Sequence, residues 1–184
     1  MITNPCSTCG GSGRSRTRRK LTLRIPAGVE TGSRIRLAGK GEGGVDGGPP
    51  GDLYVLIHVR PHDVFERRDE EVFCEVPIPF DVALLGGDVE VPTLQGPARL
   101  RIPAGTPGGK VFRLRGKGVV NVHSGIRGDQ HVRIRVEVPQ RLSGRQKKAL
   151  EEVFKLLDDS HYPERKRFNK RVKAFYERKK ALTR

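Results

Sequence analysis

Apolar residues along most of this chain alternate with polar ones in short stretches broken by Gly and Pro, the period-two pattern of β-strands. From Lys20 the alternation of Leu21, Leu23 and Ile25 predicts a strand with one apolar face, ended by Pro26-Ala-Gly28. Ile35 and Leu37 predict the next short strand, closed by Gly39-Lys-Gly41. Residues 43–51 are a loop of Gly, Pro and Asp. Residues 53–59 form the most strand-like run, with Val55, Ile57 and Val59 on one side and Tyr54, Leu56 and His58 on the other. Apolar groups on both faces predict a neighbour on each, and Pro61 stops the run.

The same pattern returns 77 residues later. Leu23-Arg-Ile-Pro-Ala-Gly28 recurs as Leu100-Arg-Ile-Pro-Ala-Gly105, and Arg36-Leu-Ala-Gly-Lys-Gly41 as Arg113-Leu-Arg-Gly-Lys-Gly118. Gly51-Asp52 with Val55, Ile57 and Val59 recurs as Gly128-Asp129 with Val132, Ile134 and Val136. Residues 21–59 against 98–136 share 19 of 39 positions without a gap, so the chain carries two copies of one structural unit. Before the second copy lie a strand over 72–80, a short helical turn over 81–87 and a strand over 88–94. The offset places no counterpart before the first copy, where a glycine-rich, basic stretch stands instead. The first unit is therefore expected to be incomplete, and the chain reads as a fragment.

Beyond Pro139 the period changes to that of a helix. Ser143 and Gln146 have the spacing of a capping box. Ala149, Leu150, Val153, Phe154 and Leu157 then form one apolar stripe. Asp158 and Asp159 oppose the dipole at its end, and Pro163 suits the first turn of a second helix. Phe168, Val172 and Phe175 give that helix a narrow stripe among Lys and Arg. Both stripes need cover, and a second copy of the chain is the expected cover, with Leu150, Val153, Phe154 and Leu157 at the dimer interface.

Composition narrows the class. Hydrophobic residues make up 35% of the chain and aromatics 5%, with no Trp, so the core should be aliphatic. No apolar run approaches the roughly 20 residues of a membrane span. The N-terminus lacks a signal-peptide core, so a cytoplasmic location with no membrane is expected. The net charge of +15 is concentrated at the ends. Residues 1–24 hold six Lys/Arg and no acid, and residues 162–184 hold ten against two Glu. The nearly neutral middle offers no basic face of the kind a specific nucleic-acid binder needs.

Cys6-Ser-Thr-Cys9-Gly-Gly-Ser-Gly13 is a C-x-x-C knuckle backed by glycines. It can aim two thiolates at one metal, whereas structural zinc takes four ligands, so Cys6 and Cys9 are half a site. Cys74 falls in a strand and reads as a buried thiol, and the five His show no ligand spacing. A thiol–disulfide activity lacks the strand-to-helix context such motifs have. No nucleophile–base arrangement and no phosphate loop is legible, so the chain is not expected to be an enzyme. Asp52 and Asp129, after glycine at both strand starts, suit turn capping.

Together these motifs resemble the C-terminal part of the DnaJ co-chaperones, the heat-shock protein 40 class with a zinc region. The carrying residues are the knuckle, Ile25-Pro-Ala-Gly28, Arg36-Leu-Ala-Gly-Lys-Gly41, Gly51-Asp-Leu-Tyr54 and Arg60-Pro-His62. Later come Leu85-Gly-Gly87, Val91-Pro-Thr-Leu94, Ile102-Pro-Ala-Gly105, Arg113-Leu-Arg-Gly-Lys-Gly118 and Gly128-Asp129. The resemblance implies a mainly β fold: two tandem β-sandwich-like substrate-binding domains, the first incomplete, followed by dimerisation helices. The expected divisions are a cysteine-rich remnant (1–19), the first domain (20–70), the second (71–141) and a helical region with a basic tail (142–184). It implies a chaperone that binds unfolded polypeptides and hands them to DnaK as a homodimer. Family members have four C-x-x-C-x-G-x-G repeats inserted within the first domain. This chain keeps what looks like the last repeat, whose zinc partner in the family is the first, so zinc is expected to be incomplete or absent here. The opening strands of the first domain lie upstream of that region in the family. No His-Pro-Asp triplet occurs, so ATPase stimulation is not expected.

Carried over, Leu21 and Val55 match positions of the family's peptide groove, with Leu23 and Ile57 as neighbours. The bland alternative is that all four are core residues of an alternating sheet. Two rival functions remain: a nucleic-acid binder using the basic ends, and a thiol–disulfide oxidoreductase acting through Cys6 and Cys9.

Overall fold

The computed structural model describes residues 7, 17–44 and 48–182. The second unit is the complete one. Strand β3 (Glu66–Arg68) pairs antiparallel with β4 (Glu71–Pro79), which runs parallel to β8 (Gln130–Glu137). Strand β7 (Val111–Leu114) closes the sheet antiparallel to β8, giving the order β3-β4-β8-β7. Between β4 and β7 the chain makes helix α1 (Phe80–Leu85), then a hairpin of β5 (Gly87–Thr93) and β6 (Gly96–Ile102).

Alternation places the apolar side chains of these strands on one inner face. Val72, Ile78, Val91, Ile102, Val132 and Ile134 are all at most 1% exposed, with Cys74, Ala83 and Leu100 close behind. Each such side chain contributes roughly 1.5–3 kcal/mol over exposure. Gln130 is fully buried with them, and its Nε2 donates to Pro92 O at 2.7 Å, tying β8 to the hairpin. Cys74 is the buried thiol the sequence predicts, and desolvation pushes its pKa up.

Among the described residues of the first unit, β1 (Arg34–Leu37) and β2 (Leu53–Leu56) are the strands, again antiparallel. Their register is that of β7 and β8 moved by 77: Ile35 opposes Val55 as Phe112 opposes Val132. Two sequence expectations need correction. Residues 21–25 are not a strand. Their counterpart β6 is a strand through its ladder with β5, and the described residues hold no equivalent of β5 beside 21–25. Strand β2 is shorter than the predicted 53–59 and has one strand neighbour where β8 has two. A strand without ladder partners leaves its backbone groups to water, which removes the gain from extending it.

After β8 come α2 (Gly144–Lys155), a 3-10 turn (Asp159–His161) and α3 (Pro163–Leu182). The expected capping box is present: Gln146 N–H donates to Ser143 Oγ at 3.4 Å, and Ser143 N–H to Gln146 Oε1 at 2.8 Å. Pro163 opens α3 as its fixed φ predicts. Among the described residues no helix is long and apolar enough to cross a membrane.

Candidate functional site

The two units differ most in what covers their inner face. Ile102 is 1% exposed, but its counterpart Ile25 is 54% exposed. Val132 and Ile134 are fully buried, and Val55 and Ile57 only half-buried. Leu100 is buried where Leu23 is half-buried, and Leu21 is exposed. In the second unit this face is covered by β4, α1 and β5, and no described residue fills that role in the first.

Val55 sits on β2 opposite Ile35, and Ile57 follows at the strand end on the same face, held by the Ile57 N–H to Ser33 O bond of 2.9 Å. Leu21 and Leu23 approach along an irregular segment. The result is a bared aliphatic surface beside the edge of β2 away from β1, where among the described residues no strand pairs with the backbone.

The turn that leads into β2 is rigid. Asp52 Oδ1 accepts from Gly39 N–H at 2.8 Å and its Oδ2 from Arg36 Nε at 2.6 Å. The Gly39 amide chiefly holds the Asp52 carboxyl below its ordinary pKa; slight desolvation opposes it and Arg36 adds to it. Asp129 makes the same contact with Gly116 N–H at 2.7 Å, so both aspartates cap turns, as expected from the sequence. At Gly39 and Gly116 φ is +64° and +65°, the left-handed region glycine reaches without strain.

The outer face of β2, where the sequence predicts a neighbour, has none among the described residues. Tyr54 and Leu56 lie exposed beside Arg34 and line a shallow depression. Their counterparts on β8 are His131 and Arg133, so the first unit has apolar groups where the second has polar ones. Comparing positions 54 and 56 with 131 and 133 across the repeat is the signal that could have found them.

An unforeseen feature joins the units. The Arg67 guanidinium donates to Val29 O at 2.7 Å and Gly28 O at 2.9 Å, while its Nε donates to Asp69 O at 2.6 Å. Gly28 lies against Val120 so closely that a Cβ there would stand 1.8 Å from the Val120 carbonyl oxygen. Beside this clasp opens a cleft of about 690 Å³ with Val59, Pro61, Phe65, Val72, Leu94 and Val119 in its walls and Arg60 and His62 at its rim.

The remaining predicted residues are placed as follows. Cys6 and Cys9 lie outside the described residues, and among the described residues no three His, Cys, Asp or Glu stand together to hold a metal. Cys74 is enclosed in the second core, with Gln130 Nε2 at 3.3 Å from its Sγ. On α2, Val153 and Phe154 are exposed and Leu150 half-buried, while Leu157, expected on the same helical stripe, lies beyond the helix end at Lys155 and is half-buried; Phe154 meets Phe80 edge-on at 6.5 Å between ring centroids.

Residues 7–139 match the family profile described as DnaJ C terminal domain. A chaperone protein DnaJ from Parageobacillus thermoglucosidasius is 49% identical over 176 residues, which is 95% of this chain and 46% of that protein. One from Bacillus cytotoxicus is 53% identical over 152 residues, 83% of this chain and 42% of its own length. One from Cereibacter sphaeroides is 49% identical over 178 residues, 96% and 46% respectively. The chain spans somewhat under half the length of these relatives. The profile covers both repeat units, and the mainly β architecture with C-terminal helices agrees with it: the chain belongs to the DnaJ family through its C-terminal domain.

Proposed function

We infer that this chain holds unfolded polypeptides on its first unit. The observation that carries the reading is that Leu23, Val55 and Ile57 are only half-buried where their repeat counterparts Leu100, Val132 and Ile134 are buried core, with Leu21 exposed beside them. An extended client adds main-chain hydrogen bonds to the β2 edge and sets its apolar side chains against this face. Affinity then depends on shape and hydrophobicity rather than on sequence. Tyr54 and Leu56 extend the apolar surface around the strand. The second unit, with its core closed, is the rigid platform.

The wider roles follow from the relatives, each a chaperone protein DnaJ. The chain acts in the cytoplasm as part of a DnaK co-chaperone, and Leu150, Val153 and Phe154 of α2, with Leu157 just past its end, join two copies. Cys6 and Cys9 are half of a zinc site, so zinc is incomplete or absent in this chain by itself. The divisions at 1–19, 20–70, 71–141 and 142–184 correspond to metal, client, platform and helical regions, with β3 (Glu66–Arg68) joining the platform's sheet and α2 serving dimerisation.

The test is suppression of aggregation of a chemically denatured model protein, with Leu21→Ser/Val55→Ser beside the parent. The parent should protect at near-stoichiometric ratio and the double variant should lose most of that protection with its β8 core intact. Equal protection by both would remove the first unit from the client site.

A further inference from the structure

Helix α3 carries a surface that client holding leaves unused. Its sequence has nine Lys/Arg against two Glu, a net charge of +7 in 20 residues. None of its described side chains is buried; Val172 and Ala174 are half-buried, and Phe168, Phe175 and Tyr176 are 58%, 58% and 56% exposed. At 3.6 residues per turn Phe168, Val172, Phe175 and Tyr176 fall within an arc of about 100°. Lys166, Arg167, Lys170, Arg171, Lys173 and Arg178 take the remaining circumference. Arg165 and Lys179 enter the apolar arc, where long stems let their charged heads reach its margin.

The charge decides what can cover that arc. A second α3 would lie at a helix spacing of about 8–10 Å, within roughly one Debye length at physiological salt. Two helices of +7 would repel across it. A nucleic acid satisfies the cations but leaves the rings bare. Phe168 and Phe175 are seven residues, about 10.5 Å, apart along the axis, too far to stack neighbouring bases. An anionic bilayer takes both halves of the pattern: the ring arc enters the acyl boundary and the surrounding cations meet headgroup phosphates.

We propose that α3 is a docking helix for anionic lipid surfaces, lying in the interface plane through Phe168, Val172, Phe175 and Tyr176 with its Lys/Arg face to the headgroups. The helix has no apolar stretch able to span the bilayer, so the attachment is peripheral and reversible, and salt weakens it. It places a polypeptide-holding domain at a membrane surface.

Flotation of the full chain with phosphatidylcholine vesicles containing one quarter phosphatidylglycerol tests this. The chain should float with these vesicles, not with pure phosphatidylcholine, and half-molar salt should reduce the bound fraction. Phe168→Ser/Phe175→Ser should weaken binding more than about tenfold, from the lost burial of two rings. Phe168→Leu/Phe175→Leu should retain most of it, which separates lost contact from a lost helix. Any one of three results overturns the proposal: no flotation with anionic vesicles, equal flotation with pure phosphatidylcholine, or undiminished binding by the Ser variant. So does displacement from anionic vesicles by a 30-nucleotide single strand that the Ser variant binds as well as the parent, which would assign α3 to nucleic acid.

Discussion

At the scale of single residues, the two units hold each other's control experiments. Asp52 accepts from the Gly39 amide and from Arg36, and its pKa is lowered chiefly by the amide. A carboxylate with a depressed folded-state pKa stabilises fully above its unfolded value near 4 and loses that contribution as pH falls through the folded value. Asp52→Asn should therefore lower the urea midpoint of the parent at pH 7. The gap should shrink as the pH falls from the unfolded value through the lower folded one. A gap that stays constant from pH 7 to pH 3 would show that the charge of Asp52 does no work at the turn.

At the scale of elements, the sequence foretold those that bring their own partners. Strand β5, the α1 turn, the Ser143–Gln146 box and the Pro163 start are all local, and all stand where their residues put them. The strand expected at 21–25 failed for a non-local reason: alternation specifies a face, but a strand also needs an edge to pair with. Leu23 and Leu100 have identical neighbours from Leu to Gly, yet only Leu100 lies in a ladder, opposite Val89. The four groove candidates were legible as apolar positions, but only their exposure relative to the second unit separates surface from core. The Arg67 clasp was not legible, because its acceptors are backbone carbonyls about 38 residues away. Helix α2 joins the local and the non-local. It is capped by its own residues, but Val153 and Phe154 remain exposed. A marginal helix of 12 residues usually depends on packing for its stability. Light scattering should find the parent dimeric at micromolar concentration and Val153→Asp/Phe154→Asp monomeric. A monomeric parent, or a variant that stays dimeric, removes α2 from the interface.

At the scale of the whole molecule, the geometry between the units rests on a few atoms. Gly28 and Gly105 occupy matching positions in the repeat and both have positive φ, +88° and +72°. Alanine at either therefore suffers the left-handed backbone penalty of roughly 1–2 kcal/mol. Their surroundings differ: nothing lies within 4 Å of a Cβ built on Gly105, whereas one on Gly28 strikes the Val120 carbonyl at 1.8 Å. Backbone on both sides of that collision cannot rotate away like a side chain, so the 28–29 turn must lift from the second unit. Arg67 then loses Gly28 O and Val29 O as acceptors. Its guanidinium is partly shielded, and a charged donor left short of partners there is costly. Gly105→Ala should thus report backbone strain alone, and Gly28→Ala strain plus the opened joint. In urea denaturation Gly28→Ala should lose clearly more stability than Gly105→Ala. Limited proteolysis between residues 59 and 66 should also accelerate in Gly28→Ala while staying at the parent rate in Gly105→Ala. Equal losses and equal cleavage in the two variants would mean that the units are not clasped at Gly28, and that the first unit moves independently of the second.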